Sequence, residues 1–225
     1  MPLSDWPLSE RPREKLLLNG AQSLSEAELL ATLLGSSGQR GRSALDTARQ
    51  MLSAHRSLRE LFNASRESAL SQRGLGVVGW CRMQASLELA RRYYAEAMRT
   101  GPLLDSPAAT HRFLISRLRD QPHEVFCCLH LDNRHRLIAF DELFRGTIDG
   151  ASVHPREVVK QALARNAAAV ILAHNHPSGV SEPSQADQLI TQRLREALAL
   201  VDIQVLDHCI VADNACLSFA ERGLL

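Results

Sequence analysis

The sequence predicts the α/β fold class, with a small all-α domain at residues 1–100 followed by an α/β domain at residues 101–225. Capping patterns and apolar residues at helical spacing fill the first hundred residues, whereas runs of β-forming residues alternate with helical segments in the remainder. Between them lie the helix-breaking residues Gly101, Pro102 and Pro107, as is typical of a linker. A chain of 225 residues that is 45% hydrophobic can bury a core.

Serine N-caps are the shared signal of the predicted helices in the first half. In a capping box, a serine hydroxyl and an acidic side chain three residues later each bind a free backbone N–H of the first turn. Such boxes are predicted at Ser25 and Ser57, Ser43 is predicted as an N-cap, and Gly35 is placed to end the helix that Ser25 begins. A longer helix is predicted over about residues 80–98 from its apolar spacing.

The second half is predicted to alternate strands with two helices. The predicted strands are Val125–Leu131, Leu137–Phe144, Ala168–Ala173, Ile203–Leu206, Cys209–Ala212 and Cys216–Phe219. Pro155 is a typical first helical residue, and the helix that it begins should end near Arg165. Ser184 is a typical N-cap for a helix that should end near Leu200. The continuous apolar run at residues 168–173 indicates a strand buried on both faces.

The charge balance gives a weak indication of a partner. The formal net charge of +1 names no class of partner by itself. Residues 1–100 hold fourteen Lys and Arg against ten Asp and Glu, and residues 101–225 hold twelve against fifteen. The first half is therefore the more basic, which makes nucleic acid a candidate partner for it.

The sequence shows no sign of export or of a membrane span. The first residues lack the basic and apolar pattern of a secretory signal, and the longest apolar run, Ala167–Ala173, is too short to cross a bilayer. The cysteines are odd in number and form no Cys-x-x-Cys pair, which argues against a disulfide framework and a cysteine-based zinc cluster. We expect a soluble, cytoplasmic protein with reduced thiols and no membrane contact.

A histidine-containing segment follows the apolar strand. His174 and His176 lie two residues apart, and Asp187 follows eleven residues after the second. Residues two apart on an extended segment share a face, so the two imidazoles can bind one ion. Pro177 and Gly179 then turn the chain toward a helix whose first turn carries Asp187. His, His and Asp form a plausible three-ligand set for zinc with an open fourth position, which is typical of hydrolytic sites.

The residues alone also allow a structural explanation. Asp187 lies three residues after Ser184, at capping-box spacing, and could serve only as a helix cap. A single histidine at the end of a strand is more often structural than a metal ligand. A metal site and a purely structural role are therefore both open on this basis.

The motif itself resembles that of a known family. His-x-His-Pro, six residues, then Ser-x-x-Asp is similar to the JAMM (MPN+) metalloprotease motif in all its spacings. The wider sequence, including residues 153–157 (VHPRE) and Asp207-His208, resembles the RadC family (UPF0758), long called DNA repair proteins, over nearly the whole chain. This resemblance implies a mixed-sheet JAMM/MPN domain of the cytidine-deaminase-like kind, preceded by a small helical domain.

The resemblance implies a cofactor and a set of site residues. In JAMM enzymes the two histidines and the aspartate bind Zn2+, which corresponds here to His174, His176 and Asp187. The serine of the motif, here Ser184, is implied to position the zinc-bound water or to support the tetrahedral intermediate.

A general acid and base is also implied, as a glutamate near the start of an early strand. Glu124, just before the run Val-Phe-Cys-Cys-Leu, resembles that glutamate. Glu142 and Glu157 are the alternatives. Glu157 lies in the first turn of a predicted helix, where the helix dipole favours a carboxylate in any case. Glu142 lies in a predicted strand whose faces the sequence does not assign.

Other polar residues near the motif have weaker predictions. Asp207 and His208 could orient a zinc ligand by a hydrogen bond, without binding the metal themselves, or could form a packed turn. His154 and Arg156 flank a predicted helix N-terminus, which favours anions, and could contact substrate. The remaining histidines have no partner at metal-ligand spacing and are expected to be surface or structural residues: His55, His111, His123, His130 and His135.

A glycine cluster precedes the long helix of the first half. Gly74, Gly76 and Gly79 lie in Gly-Leu-Gly-Val-Val-Gly, which resembles a helix-hairpin-helix motif whose backbone N–H groups contact a DNA phosphate. The sequence departs from that motif at residues 80–82 (WCR), where a small residue and a lysine are expected. The alternative is a turn that only allows two helices to pack.

Two functions from different classes follow. The first is a JAMM-type zinc metallopeptidase that cleaves peptide or isopeptide bonds in a protein or peptide substrate. The second is a DNA-associated repair or accessory protein with a structural or vestigial zinc site. A three-ligand set beside a serine and a glutamate favours the enzyme, because a structural zinc site is normally closed by a fourth protein ligand.

Overall fold

The computed structural model describes residues 6–35, 43–71, 75–100, 107–146 and 153–225, with only the backbone at residues 97–100. The chain divides into two compact units, Met1–Ala90 and Arg91–Leu225. The linker predicted near residue 100 includes residues 101–106, which lie outside the described residues, and the boundary chosen there stays a prediction.

The first unit is helical in its described residues. Its helices are α1 (Pro12–Asn19), α2 (Glu26–Leu34), α3 (Ala44–Ala54), α4 (Leu58–Asn63), α5 (Arg66–Ser71) and the first part of α6 (Val77–Thr100). The capping box predicted at Ser25 and the N-cap predicted at Ser43 are confirmed, and at Ser43 the structure adds a full capping box with Asp46. Gly35 ends α2 with a φ of 67°, a backbone conformation that favours glycine. Ser57 caps α4, but the carboxylate of Glu60 accepts from the backbone N–H of Arg56 instead, so this box is half formed.

The second unit combines a sheet with helices. Its elements are the later part of α6, α7 (Pro107–Leu118), β1 (Val125–Leu131), β2 (Leu137–Arg145), α8 (Pro155–Ala164), β3 (Ala169–Asn175), α9 (Gln185–Ala199), β4 (Gln204–Ala212) and β5 (Ala215–Ser218). The strands form one five-stranded sheet in the order β2-β1-β3-β4-β5. β3 and β4 are parallel and the other neighbours are antiparallel, so the predicted mixed sheet is confirmed.

Helices cover both faces of this sheet, and β3 is therefore buried along its whole length. On one face, α7 packs against β1, β3 and β4 through Phe113, Leu114, Cys127, Ile171 and Val211. On the other face, α8 and α9 pack through Val158, Ala162, Leu172, Leu194 and Leu198. We call these the α7 face and the α8–α9 face. Successive residues of a strand alternate between them.

β4 differs from the expectation. Two strands were predicted, Ile203–Leu206 and Cys209–Ala212, but the structure has one continuous strand, Gln204–Ala212. The polar pair Asp207-His208 suggested a break. Each of these side chains has polar partners within the fold, so the backbone ladder continues through them.

Both units agree with the predicted fold class, in which a helical region precedes an α/β region with a mixed sheet. Among the described helices, none is long and apolar enough to cross a membrane.

Candidate metal centre

The end of β3 carries the two histidines of the predicted site. β3 extends through Asn175, and the backbone N–H of His176 still donates to Val211 O of β4 at 2.8 Å, so the segment stays extended beyond the strand. This geometry places His174 and His176 on one face, with their Nε2 atoms 3.0 Å apart. The chain then turns at Gly179, whose φ of 80° favours glycine.

Asp187 reaches the histidines from the first turn of α9. Its Oδ1 lies 3.2 Å from His174 Nε2, and its Oδ2 lies 3.6 Å from His176 Nε2. The same carboxylate completes a capping box, because Oδ2 accepts from the backbone N–H of Ser184 at 2.7 Å and from its Oγ at 2.6 Å. The capping role and the ligand geometry are therefore found in one side chain, and the cap directs the carboxylate toward the histidines.

A backbone carbonyl fixes the proton of His176. Its Nδ1 lies 2.7 Å from Val180 O. A carbonyl oxygen can only accept, so Nδ1 carries the hydrogen, and in the neutral ring Nε2 presents a lone pair to Asp187 and His174.

A chain of three contacts fixes the proton of His174. Thr191 Oγ1 donates its single hydrogen to Asp187 O at 2.5 Å and lies 2.6 Å from His208 Nδ1, which must therefore be the donor. Burial, and after it the nearby His174, lower the pKa of His208 well below its usual value, so the ring is neutral and its Nε2 is an acceptor. That Nε2 lies 2.8 Å from His174 Nδ1, which consequently donates and leaves its own Nε2 as a free lone pair.

The converging donor set fits a zinc ion. The two Nε2 atoms and a carboxylate oxygen of Asp187 all lie within 4.8 Å of one another. Zinc–imidazole bonds of about 2.0–2.1 Å place two nitrogens of a tetrahedral site roughly 3.3 Å apart. The 3.0 Å separation between the two Nε2 atoms is close to this value.

The electrostatics of the site favour positive charge at its centre. Contact with Asp187 raises the pKa of His176, although burial opposes this. Burial opposes the charge of Asp187, yet its contacts with His174 and His176 hold its pKa well below the usual value. Both pKa shifts indicate that the site stabilises a positive charge between the carboxylate and the imidazoles.

The ligand set opens toward solvent on one side. The side chain of His174 is 1% exposed, whereas those of His176 and Asp187 are 16% and 11% exposed. In the part of the chain that the structure describes, this group has three members, so a fourth coordination position is left for water or substrate.

Glu124 lies beside the open side. The pairing of β1 with β3 ends at Phe126 and His174, and Glu124 lies two residues before Phe126, where strand alternation gives both side chains the same face. After the larger effect of Asp187, the Glu124 carboxylate also contributes to the raised pKa of His176. Glu124, the predicted general base, is therefore near His176.

Asn175 ties the segment around Glu124 to the end of β3. Its Oδ1 accepts from the backbone N–H of Val125 at 2.8 Å, and its Nδ2 donates to His123 O at 3.0 Å. These bonds flank Glu124 on both sides. The residue between the two histidines therefore fixes the backbone that carries the glutamate.

The alternative glutamates lie elsewhere. Glu142 pairs in register with Cys127, whose side chain lies on the α7 face, and its carboxylate binds Arg145 at 2.9 Å. Burial, and then Glu142, raise the pKa of the Cys127 thiol, which is consistent with this placement. Glu157 lies in the first turn of α8 and pairs with Lys160 at 3.7 Å.

Comparison with known proteins supports the family resemblance. Residues 104–224 match the family described as RadC-like JAB domain, and residues 3–81 match the one described as UPF0758 N-terminal. UPF0758 proteins from Thioalkalivibrio sulfidiphilus and Nitrosococcus oceani are 62% and 60% identical to the chain, and both alignments cover 100% of each protein. The chain belongs to the RadC (UPF0758) family.

Four further polar residues were predicted near the site of this RadC-family chain, and they differ in whether they contact His174 or His176. His208 contacts His174 directly, whereas Asp207 lies on the α7 face and accepts from Ser218 Oγ at 2.6 Å. His154 is the N-cap residue of α8, and Arg156, whose side chain is 87% exposed, pairs with Glu157 at 3.4 Å. A substrate-binding role for His154 and Arg156 stays a prediction.

The glycine cluster of this RadC-family chain is described only in part. Gly74 lies outside the described residues, and Gly76 has open space where a side chain would be. Gly79 lies inside α6, where an added Cβ would come 3.1 Å from Leu34 Cδ2, so packing explains this glycine. Arg82 Nη1 donates to Leu34 O at 2.5 Å and thus caps α2. DNA contact by Gly74, Gly76 and Gly79 stays a prediction.

Thr191 is a site residue that the sequence analysis missed, although it lies four residues after Asp187 and so shares its helix face. We expect Thr191→Val, which keeps the shape and removes the hydroxyl, to lower zinc affinity roughly 10- to 100-fold, because His208 and then His174 lose their fixed proton positions. Competition with a chromophoric chelator measures this affinity.

The matched control is Thr47→Val, since Thr47 is another buried threonine, at 2% exposure, and lies on α3 in the helical unit. Zinc affinity in this control should equal that of the unmodified chain. Equal affinities in all three proteins would show that Thr191 does not orient the ligands.

Proposed function

We propose that this chain is a zinc-dependent hydrolase of peptide or isopeptide bonds. The observation that carries the proposal is the convergence of His174 Nε2, His176 Nε2 and the Asp187 carboxylate on one point, with the Glu124 carboxylate near His176. Membership of a family with a RadC-like JAB domain supports it.

The protein residues divide the chemical work. A zinc ion bound by the three ligands would lower the pKa of a water molecule and polarise a carbonyl group. Glu124 accepts a proton from the attacking water and delivers it to the leaving amine, so it acts first as base and then as acid. Asp187 and His174 are held in place by Ser184 and His208, so the ligand geometry needs little reorganisation when substrate arrives.

Ser184 has a second role in this proposal. Its hydroxyl lies at the N-terminus of α9 and donates to Asp187 Oδ2 at 2.6 Å. To support the tetrahedral intermediate, as the family resemblance implies, the hydroxyl would turn this single hydrogen from Asp187 to the carbonyl oxygen of the substrate. A hydroxyl in such a position stabilises the developing negative charge of the carbonyl oxygen.

A hydrolytic role accounts for the open side better than a structural one. A structural zinc site is normally closed by four protein ligands. Here three ligands converge, the exposed edge belongs to His176, and a carboxylate stands beside that edge.

The decisive experiment is an unbiased screen of peptide and isopeptide-linked substrates with the zinc-loaded full chain. We expect cleavage that stops with a chelator, returns with zinc, and is missing in Asp187→Ala. The proposal fails if fully zinc-loaded protein cleaves nothing across the library, or if Asp187→Ala cleaves as well as the unmodified chain.

A further inference from the structure

A second cluster of metal-binding side chains lies on the opposite face of the sheet. His111 of α7, Cys209 of β4 and Cys216 of β5 each offer one ligand atom, and these three atoms all lie within 4.8 Å of one another. We call this the His–Cys–Cys cluster.

The fold brings these residues together through strand register. Cys209 pairs with Ser218 and Val211 pairs with Cys216, so Cys209 and Cys216 are diagonal neighbours on one face of the β4–β5 pair. α7 packs against both strands and brings His111 to them. The cluster thus joins one helix and two strands, and its outermost members in sequence, His111 and Cys216, are 105 residues apart.

We propose that the His–Cys–Cys cluster is a second metal site, selective for a thiophilic cation such as Zn2+. Two sulfurs and an imidazole suit zinc, whereas magnesium and calcium require oxygen ligands. Zinc–sulfur bonds of about 2.3 Å and zinc–nitrogen bonds of about 2.0–2.1 Å place the ligand atoms of a tetrahedral site roughly 3.5–3.8 Å apart. The spacing of the cluster accommodates such a site.

The surroundings of the cluster suit a cation. Asp207 Oδ2 lies 3.6 Å from Cys209 Sγ and adds a negative charge, and hydrogen bonds from Ser218 Oγ and the backbone N–H of Ala220 hold this carboxylate in place. Cys209 is 1% exposed, whereas His111 and Cys216 are partly exposed, so an ion can enter from their side.

Burial makes a free reactive thiolate unfavourable here. The hydrogen bond with Cys216, followed by burial, raises the pKa of Cys209 well above its usual value. Without a cation the Cys209 thiol is therefore protonated, which does not suit a catalytic or redox-active thiol. A bound metal reverses this preference, because coordination deprotonates a thiol outright.

The second site is separate from the first. His208 and Cys209 are neighbours on β4, but His208 points toward His174 on the α8–α9 face and Cys209 points into the α7 face. The two sites share a strand and no ligand, so each can be removed alone. The inference consequently does not depend on the proposed hydrolase activity.

Cobalt substitution distinguishes the two sites. The first site has no sulfur ligand, so only the His–Cys–Cys cluster can give an intense thiolate-to-cobalt charge-transfer band. We expect the metal-free, reduced full chain to bind two Co2+ ions, with this band accompanying one of them. Co2+ or Zn2+ should also protect Cys209 and Cys216 from alkylation, as read by peptide mass.

The variants are chosen at partly exposed positions, so that folding is preserved. Cys216→Ser and His111→Gln should each weaken binding of the second ion more than about 100-fold, since losing a ligand costs more than losing an outer hydrogen bond. Cys216→Ser should also lose the charge-transfer band. The control Cys81→Ser, at an exposed cysteine of α6, should keep the band and both ions. His176→Ala should keep the band and lose the other ion.

Three results would overturn the inference. One is that excess Co2+ fills the first site of the full chain but no thiolate-to-cobalt charge-transfer band forms. Another is a band that survives Cys216→Ser but disappears in Cys81→Ser. The third is alkylation of Cys209 and Cys216 at the same rate with and without metal.

Discussion

Replacing Glu124 with glutamine should leave zinc bound and lower turnover about 100- to 10,000-fold, the range that a general acid–base group contributes. Glutamine keeps the shape of the side chain but cannot accept the proton of the attacking water. The zinc ligands come from β3 and α9, so their geometry is unchanged. Elemental analysis measures the metal, and kcat on a substrate found in the screen measures the chemistry.

Glu142→Gln is the matched control for this variant, because Glu142 lies on the neighbouring strand but on the α7 face. Its activity should equal that of the unmodified chain. Loss of zinc in Glu124→Gln, or full turnover without its carboxylate, would remove Glu124 from the proposed role.

Replacing His176 with alanine should remove one zinc ion per chain and abolish hydrolysis. His176 is one of the three proposed ligands, and two ligands bind zinc far more weakly, by more than the 10- to 100-fold that outer contacts contribute. Alanine also removes the imidazole whose Nδ1 donates to Val180 O, so the loop after β3 loses one of its restraints. Metal content after dialysis gives the direct measurement.

His123→Ala is the control, because His123 is exposed and only its backbone carbonyl contributes to the site, as the acceptor for Asn175. This variant should keep its zinc. An unchanged zinc content in His176→Ala would contradict the ligand assignment.

Local sequence signals predict the site well where its parts are close in sequence. The apolar run before His174 predicts a buried strand, alternation predicts the shared face of His174 and His176, and the Ser184–Asp187 spacing predicts the cap. The sequence offered the cap and the ligand as alternatives for Asp187. They are compatible because Oδ2 accepts from Ser184 while Oδ1 is directed to His174.

The parts that depend on long-range contacts were not predictable in the same way. The polar pair Asp207-His208 suggested a turn between two strands. Only tertiary structure supplies the polar partners that keep this pair within one strand. His111 was expected to be a surface or structural residue and the cysteines to form no zinc cluster, because no spacing rule links residues so far apart.

Helix α7 is a different case, since its signal was present but not used. Thr110, Phe113, Leu114 and Leu118 are buried and recur at helical spacing. Gly101 and Pro102 before the helix, and Pro107 at its first position, were interpreted as a linker instead.

The side chain of Asn175 gives the candidate site a built-in reporter. The amide hydrogen of Val125 is donated to this side chain and not to a neighbouring strand, so its exchange with solvent follows opening of that one bond. Protection at this single amide, measured by hydrogen exchange, would therefore track whether the end of β3 and the segment around Glu124 open together. A loss of protection there without loss elsewhere in the sheet would identify local opening as the step that admits a substrate.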